Sequence, residues 1–299
     1  MKHCFLIFLL TTLAASAGSA QTGGLSYLKL GSGGRAAGMA EAFTAVADDA
    51  TATYWNPAGI LFNPGPSLVL SHNEWIQDVR SEFVSFVAPK DRAGWGLSLN
   101  SVRIAGIELR GVQPAVEPIS TFSAYNLALG AAYARRITAG LAAGVGIKFL
   151  YEKIYIEEAA GFALDAGVLY RPDTSPIRLG MVIKNLGKMS RLGGEASTMP
   201  LTLRTGAAFA PPAKILGAHW LLAADLSVSR GGDLHTSWGM EVKPFPLLAL
   251  RAGYQTGYET RGAQFGLGLR GNRFGLDYGV VPFQQNLGIG HRLSFSFFW

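Results

Sequence analysis

From about residue 67 to its end the sequence alternates apolar and polar side chains with a period of two. That is the pattern of strands whose two faces meet different surroundings. In the last segment Leu293, Phe295, Phe297 and Trp299 fall on one face, and Arg292, Ser294 and Ser296 on the other. Likewise Phe265, Leu267 and Leu269 oppose Gln264, Gly266, Gly268 and Arg270, and Trp238, Met240 and Val242 oppose Gly239, Glu241 and Lys243. Alternation alone does not say which face is buried, because a soluble sandwich and a membrane barrel share it with the sides exchanged.

Composition separates the two. Only 15% of residues are charged, against about 25% in an ordinary soluble domain, while 49% are apolar and 38 of 299 are glycine. Past residue 20 no apolar run approaches the roughly 18 to 20 residues of a spanning helix. Helices and closed barrels alone satisfy every backbone polar group in lipid. The chain is therefore expected to be all-β, a transmembrane antiparallel β-barrel.

About fourteen segments, to within two, start near residues 67, 81, 93, 121, 138, 160, 177, 200, 218, 236, 247, 262, 273 and 288. Apolar faces end in aromatics such as Trp95, Tyr133, Tyr170, Trp238, Tyr254 and Trp299, as interfacial girdles do. Short connectors (Pro89–Asp91, Arg171–Asp173, Gly271–Asn272) are set against longer ones, Ile104–Ser120 and Leu186–Met199. Short periplasmic turns and longer outer loops, with an even strand count, place both termini on the periplasmic side of a Gram-negative outer membrane. The closing aromatic, Trp299, has the form of a signal for the barrel assembly machinery.

Residues 1–20 read as a secretory signal peptide: basic Lys2 and His3, an apolar run from Phe5 to Leu13, and a small-residue site at Gly18-Ser19-Ala20. The only cysteine, Cys4, leaves with it, so the mature chain would hold no disulfide or thiolate metal site. The formal charge of +6 is spread singly, without the Lys/Arg stripe of a nucleic-acid surface. Outer-membrane lipid is the more natural counterpart. Neither a cofactor nor a metal site is expected.

Residues 21–66 form a separate segment ahead of the barrel at 67–299. Met39, Phe43 and Val46 recur at helical spacing among alanines, which predicts a thin helix ending before Pro57. A barrel of about fourteen strands is too wide to fill itself with side chains, so this segment is expected to plug the lumen as a hatch.

The run from Gly31 to Ile60 resembles the amino-terminal signature of the PorV/PorQ family of outer-membrane proteins, related to FadL-type transporters. The matching elements are Arg35-Ala36-Ala37-Gly38-Met39, Ala47-Asp48-Asp49-Ala50 and Asn56-Pro57-Ala58-Gly59, and the closing Gly288–Ser294 is similar to the family's last strand. Glu41 stands where the family pattern leads one to expect glycine. The resemblance implies a fourteen-stranded barrel with a hatch in its lumen. It also implies one of two roles: passage of hydrophobic, fatty-acid-like or amphipathic small molecules, or docking of exported proteins as a PorV-like component of type IX secretion. The compact chain and short outer loops favour transport.

Strand phase directs Arg204, Asp225, Glu241, Arg251, Arg270 and Arg292 into the lumen, since a cation facing lipid costs about 2 to 4 kcal/mol at the midplane. They are expected to form a salt-bridge network, or to hold an anionic headgroup through Arg204, Arg251 or Arg270. Asp48 and Asp49 are expected to lock the hatch to those arginines. Met39 and Phe43 pack the hatch or offer an acyl chain a greasy surface, and Asn56-Pro57 shapes the turn into the first strand. An enzyme is disfavoured. Ser71 with His72, and Ser294 with His291, have opposite strand parity, and neither a Gly-x-Ser-x-Gly elbow nor a His-Glu-x-x-His pair is present.

Overall fold

The computed structural model describes residues 25–111 and 116–299. The signal peptide read at residues 1–20, and Cys4 within it, lie outside the described residues. The described residues form sixteen strands: β1 Ser67–Glu74, β2 Val79–Pro89, β3 Ala93–Leu109, β4 Ser120–Thr138, β5 Leu141–Ile154, β6 Glu157–Tyr170, β7 Ile177–Met189, β8 Arg191–Leu192, β9 Glu195–Ala196, β10 Thr202–Phe209, β11 His219–Ser229, β12 Leu234–Phe245, β13 Leu248–Thr256, β14 Ala263–Arg270, β15 Phe274–Pro282 and β16 Ile289–Phe298. Fourteen of them close an antiparallel barrel in chain order, β7 pairing directly with β10. The remaining two, β8 and β9, make a small ribbon in the connector that β10 follows. Closure comes from β1 against β16, in register from Ser67 opposite Phe298 to Glu74 opposite His291.

Alternation is directly visible on β6. Ala159, Gly161, Ala163, Asp165, Gly167 and Leu169 are buried, whereas Ala160, Phe162, Leu164, Ala166, Val168 and Tyr170 are exposed. Isolated apolar residues on a surface mean little, but here they form a belt around the whole wall, which is the surface that lipid solvates. Trp95 lies opposite Tyr133, and Trp238 opposite Tyr254, so aromatic pairs ring the outside at two heights. Among the described residues no helix is long and apolar enough to cross a membrane.

We call the end carrying Ser67 and Phe298 the near end, and the end carrying the β1–β2 turn the far end. The segment expected to be a connector at Ile104–Ser120 is shorter than predicted. β3 continues to Leu109 and β4 starts at Ser120, with a register shift between Ile104 and Ile107 absorbing the irregularity.

The hatch lies inside the lumen, but not as the helix expected through Met39, Phe43 and Val46. Helix α1 covers only Gly34–Gly38 and α2 only Ala52–Trp55, flanked by 3-10 turns at Ser26–Lys29 and Pro57–Phe62. The helix stops because Ala40 and Glu41 adopt φ of 51° and 62°, the left-handed region that no α-helix of L-residues contains. Met39, Phe43, Val46 and Trp55 are still fully buried, forming one core with wall residues such as Val87 and Leu169. The small residues serve close approach rather than helix propensity. A Cβ on Gly266 would stand 2.7 Å from the Cα of Gly38, and one on Gly144 would collide with the backbone of Pro57 and Ala58.

Candidate functional site

Among the described residues, three ionic clusters tie the hatch to the wall, and each is completed from strands far away in sequence. In the first, Arg35 of α1 gives Nε and Nη2 to Glu241 of β12 at 2.9 and 3.2 Å, the bidentate fork suited to a carboxylate. Its Nη1 reaches Asp48 at 2.6 Å and Asp49 at 3.2 Å. Glu241 is also paired with Arg251 at 2.7 Å and Lys243 at 3.1 Å, and Arg251 with Asp277 at 2.7 Å. Asp48 then extends to Arg171 and Arg178 at 3.1 and 3.4 Å. Burial alone would push the Asp48 carboxyl up, but Arg35, followed by Arg171 and Arg178, outweighs it and holds the pKa at about 2.

The second cluster centres on Asp225 of β11. Its Oδ2 accepts from the backbone N–H groups of Phe43 and Thr44 at 3.1 and 2.9 Å, from the Thr44 hydroxyl at 2.6 Å, and from Arg204 at 3.1 Å. Arg204 also donates to the Glu41 carbonyl at 2.6 Å and lies over the Trp55 ring. The third is Arg292 of β16, wholly buried and paired with the Glu41 carboxylate at 3.0 Å. Burial opposes the charge on Glu41, and Arg292 leads the attractions that keep its pKa below the ordinary value. Asn56 finishes the docking: Oδ1 caps Ala58, and Nδ2 donates to the carbonyls of Thr44 and, on β6, Val168.

The expected pairing of Asp48 and Asp49 with Arg204, Arg251 or Arg270 therefore does not occur. The two aspartates meet Arg35, with Arg171 and Arg178 added for Asp48, because Arg204 and Arg251 already face carboxylates of the wall. Arg270 shares the lumen parity but lies exposed at the near-end rim, its guanidinium 3.9 Å from the centre of the Phe298 ring. Ser71 and Ser294 face inward; Ser294 accepts from the Gly34 N–H of the hatch at 2.7 Å and donates to the Ser71 hydroxyl at 3.0 Å. His72 and His291 are exposed on the other face, against Glu82 and Tyr278. Among the described residues no group of His, Cys, Asp or Glu is arranged to hold a metal.

Above the hatch, toward the far end, lies a cavity of about 930 Å³. Glu41 and Tyr54 belong to its hatch side, Trp75, Tyr258 and Arg261 to its rim, and Val102, Asn126, Glu152, Lys184 and Arg204 to its wall. The first described residues, Leu25–Leu30, line this cavity, while Trp299 is at the near end beside Pro66. Lys184 sits 3.5 Å above the Tyr54 ring, and Arg261 lies between the rings of Tyr258 and Trp75 at 4.6 and 4.9 Å. Sequence reasoning placed Lys184 on the lumen face but singled out neither Arg261 nor Glu152, although the even parity that Glu152 shares with Lys148 was a usable signal.

A family model described as "Uncharacterised protein family (UPF0164)" matches residues 12–162, just over half of the chain. The chain belongs to UPF0164. No curated protein matches the sequence. Among solved structures this UPF0164 barrel is similar to the CymD monoaromatic hydrocarbon channel, with a TM-score of 0.66 and 12% identity over 90% of this chain and 98% of that one. It is also similar to the toluene transporter TodX of Pseudomonas putida (0.58, 16%, 82% and 91%). A FadL homologue of Pseudomonas aeruginosa gives 0.54 and 11%, covering 94% and 99%. At these identities the likeness concerns the fold alone: the chain is a closed fourteen-stranded antiparallel barrel similar in fold to these structures.

Proposed function

We propose that the protein is a non-enzymatic outer-membrane barrel that passes hydrophobic or amphipathic small molecules. The cavity above a docked hatch carries this reading: it is large enough for a small amphiphile, and its lining mixes apolar side chains with cations. Lys184 and Arg261 have ring faces rather than carboxylates as their close partners, leaving them able to meet an anionic head. The hatch is the gate in this scheme, because its clusters must rearrange before a solute can reach the near end. The similar structures, a monoaromatic hydrocarbon channel and a toluene transporter, support the same class. The Arg35–Met39 and Asn56–Gly59 motifs support a PorV/PorQ kinship. We place transport ahead of secretion, since most far-end connectors are short and offer little docking surface. Orientation follows: the near end faces the periplasm and the cavity opens outward.

The test is uptake of radiolabelled long-chain fatty acid by a Gram-negative host deleted for its own hydrophobic-solute channels, whose lipopolysaccharide otherwise retards entry. Expression is expected to raise the initial rate several-fold. A rate equal to that of cells with an empty vector overturns the proposal.

A further inference from the structure

In the far-end cavity three side chains each leave an oxygen without a hydrogen-bond partner among the described residues. Asn126 on β4 and Glu152 on β5 are register partners on the lumen face, so their Cβ atoms are about 4.5 to 5.5 Å apart. Tyr27 packs in one apolar cluster with Ala128 and Leu150, the residues two beyond Asn126 and two before Glu152 on that same face. All three are more than nine-tenths buried (Tyr27 4%, Asn126 5%, Glu152 7% exposed) and all three line the cavity. Yet Tyr27 Oη, Asn126 Oδ1 and Glu152 Oε2 have no hydrogen-bond partner among the described residues. Burying such groups unpaired costs free energy, more so for a carboxylate, and it persists where a function needs them.

The chemistry of the corner is one-sided. Two of its oxygens are pure acceptors, the third can accept, and the surroundings are Leu25, Leu28, Val102 and Ile154. Among the described residues no lysine or arginine is ion-paired with Glu152, whereas Lys153 beside it pairs with Glu158 on the opposite face at 2.6 Å. The Glu152 carboxylate is nevertheless felt by its neighbour: after burial it is the second influence that pushes the Tyr27 phenol upward. A hydroxyl would offer this corner one donor and no charge. A primary ammonium would offer three N–H donors to three oxygens and a counter-charge to the carboxylate.

We propose that Tyr27, Asn126 and Glu152 form a subsite for the ammonium group of an amphipathic primary amine, with its chain lying along Leu28, Val102 and Ile154. The inference rests on the reading of the cavity as the chamber that receives the solute. It adds a pole that selects for a cation, separate from Lys184 and Arg261.

The experiment is calorimetric titration of the full-length barrel in phosphatidylcholine nanodiscs with dodecylamine, dodecanol and dodecanoate, subtracting protein-free nanodiscs. Dodecylamine is expected to bind at least tenfold more tightly than dodecanol. Glu152→Gln should remove that advantage without weakening dodecanoate. Tyr27→Phe, which keeps the ring in its apolar cluster, should weaken dodecylamine several-fold and gives a second measurement should Glu152→Gln fail to insert. The subsite is overturned if dodecylamine binds no tighter than dodecanol, or if Glu152→Gln weakens dodecanoate as much as the amine. Binding of dodecanoate without dodecylamine would sink the subsite alone. Binding of none of the three would sink the transport reading with it.

Discussion

At Glu41 two effects of opposite sign meet in one residue. Its φ of 62° is a left-handed conformation that costs an L-residue roughly 1 to 2 kcal/mol, and glycine would relieve it. Its carboxylate, however, is the ion-pair partner of Arg292, whose side chain is completely buried. Removing one member of a buried pair typically costs about 3 to 5 kcal/mol because the other charge is left uncompensated. Loss of the pair outweighs relief of the strain, so Glu41→Gly is expected to lower stability by about 2 kcal/mol despite the easier backbone. Glu41→Gln, which keeps the strain and loses the charge, should be at least as damaging. Heat-modifiability on semi-native gels reads both, and a Glu41→Gly barrel that outlasts the unaltered one would show that backbone strain dominates. The residue was visible in the sequence only as a departure from a motif. Its partner stands 251 positions away, and no local pattern announces such a pair.

Under the proposed function, the hatch is the element at which charge and gating meet. Asp48 gathers Arg35 of α1, Arg171 of the β6–β7 turn and Arg178 of β7, so one carboxylate joins the hatch to two parts of the wall. Its pKa is depressed from 3.8 to about 2, which fixes the sign of the pH dependence. The stabilisation is present in full above the unfolded value and is lost as pH falls through the folded one. Single-channel conductance in planar bilayers is therefore expected to stay flat from pH 7 to about pH 4 and to rise between about pH 4 and pH 2. Reversing both charges (Asp48→Arg with Asp49→Arg) should give the raised conductance already at pH 7. Conductance that ignores both treatments would show that the hatch is held by packing rather than by charge. The strands were legible because a wall between lipid and lumen imposes period two on every residue. The hatch was legible only as something different. Met39, Phe43 and Val46 carry a helical spacing, but the path of the hatch is set by the tertiary structure, with Gly38, Met39 and Ala40 lying against Gly239, Gly253 and Gly266 on the wall.

For the molecule as a whole, the question is whether the wall needs the hatch to exist. The closed ladder leaves no strand edge, and each barrel strand finds both neighbours among the other thirteen. Several lumen charges are matched within the wall itself: Arg251 with Glu241 and Asp277, Arg204 with Asp225, and Lys148 with Asp165 at 2.9 Å. Arg292 differs, its carboxylate coming from the hatch, but with the lumen filled by water that charge would be solvated rather than stranded. Deleting residues 25–62 is therefore expected to leave a barrel that still inserts, still shifts on heating in gels, and conducts in large uniform steps where the full chain is nearly closed. It should also lose dodecanoate binding, since Tyr54 and the Leu25–Leu30 segment form one side of the cavity. Failure of the deleted chain to insert would mean that the hatch acts as a folding core around which the wall assembles. The closure between β1 and β16 would then depend on contacts such as Gly34 with Ser294, made before the last strand pairs.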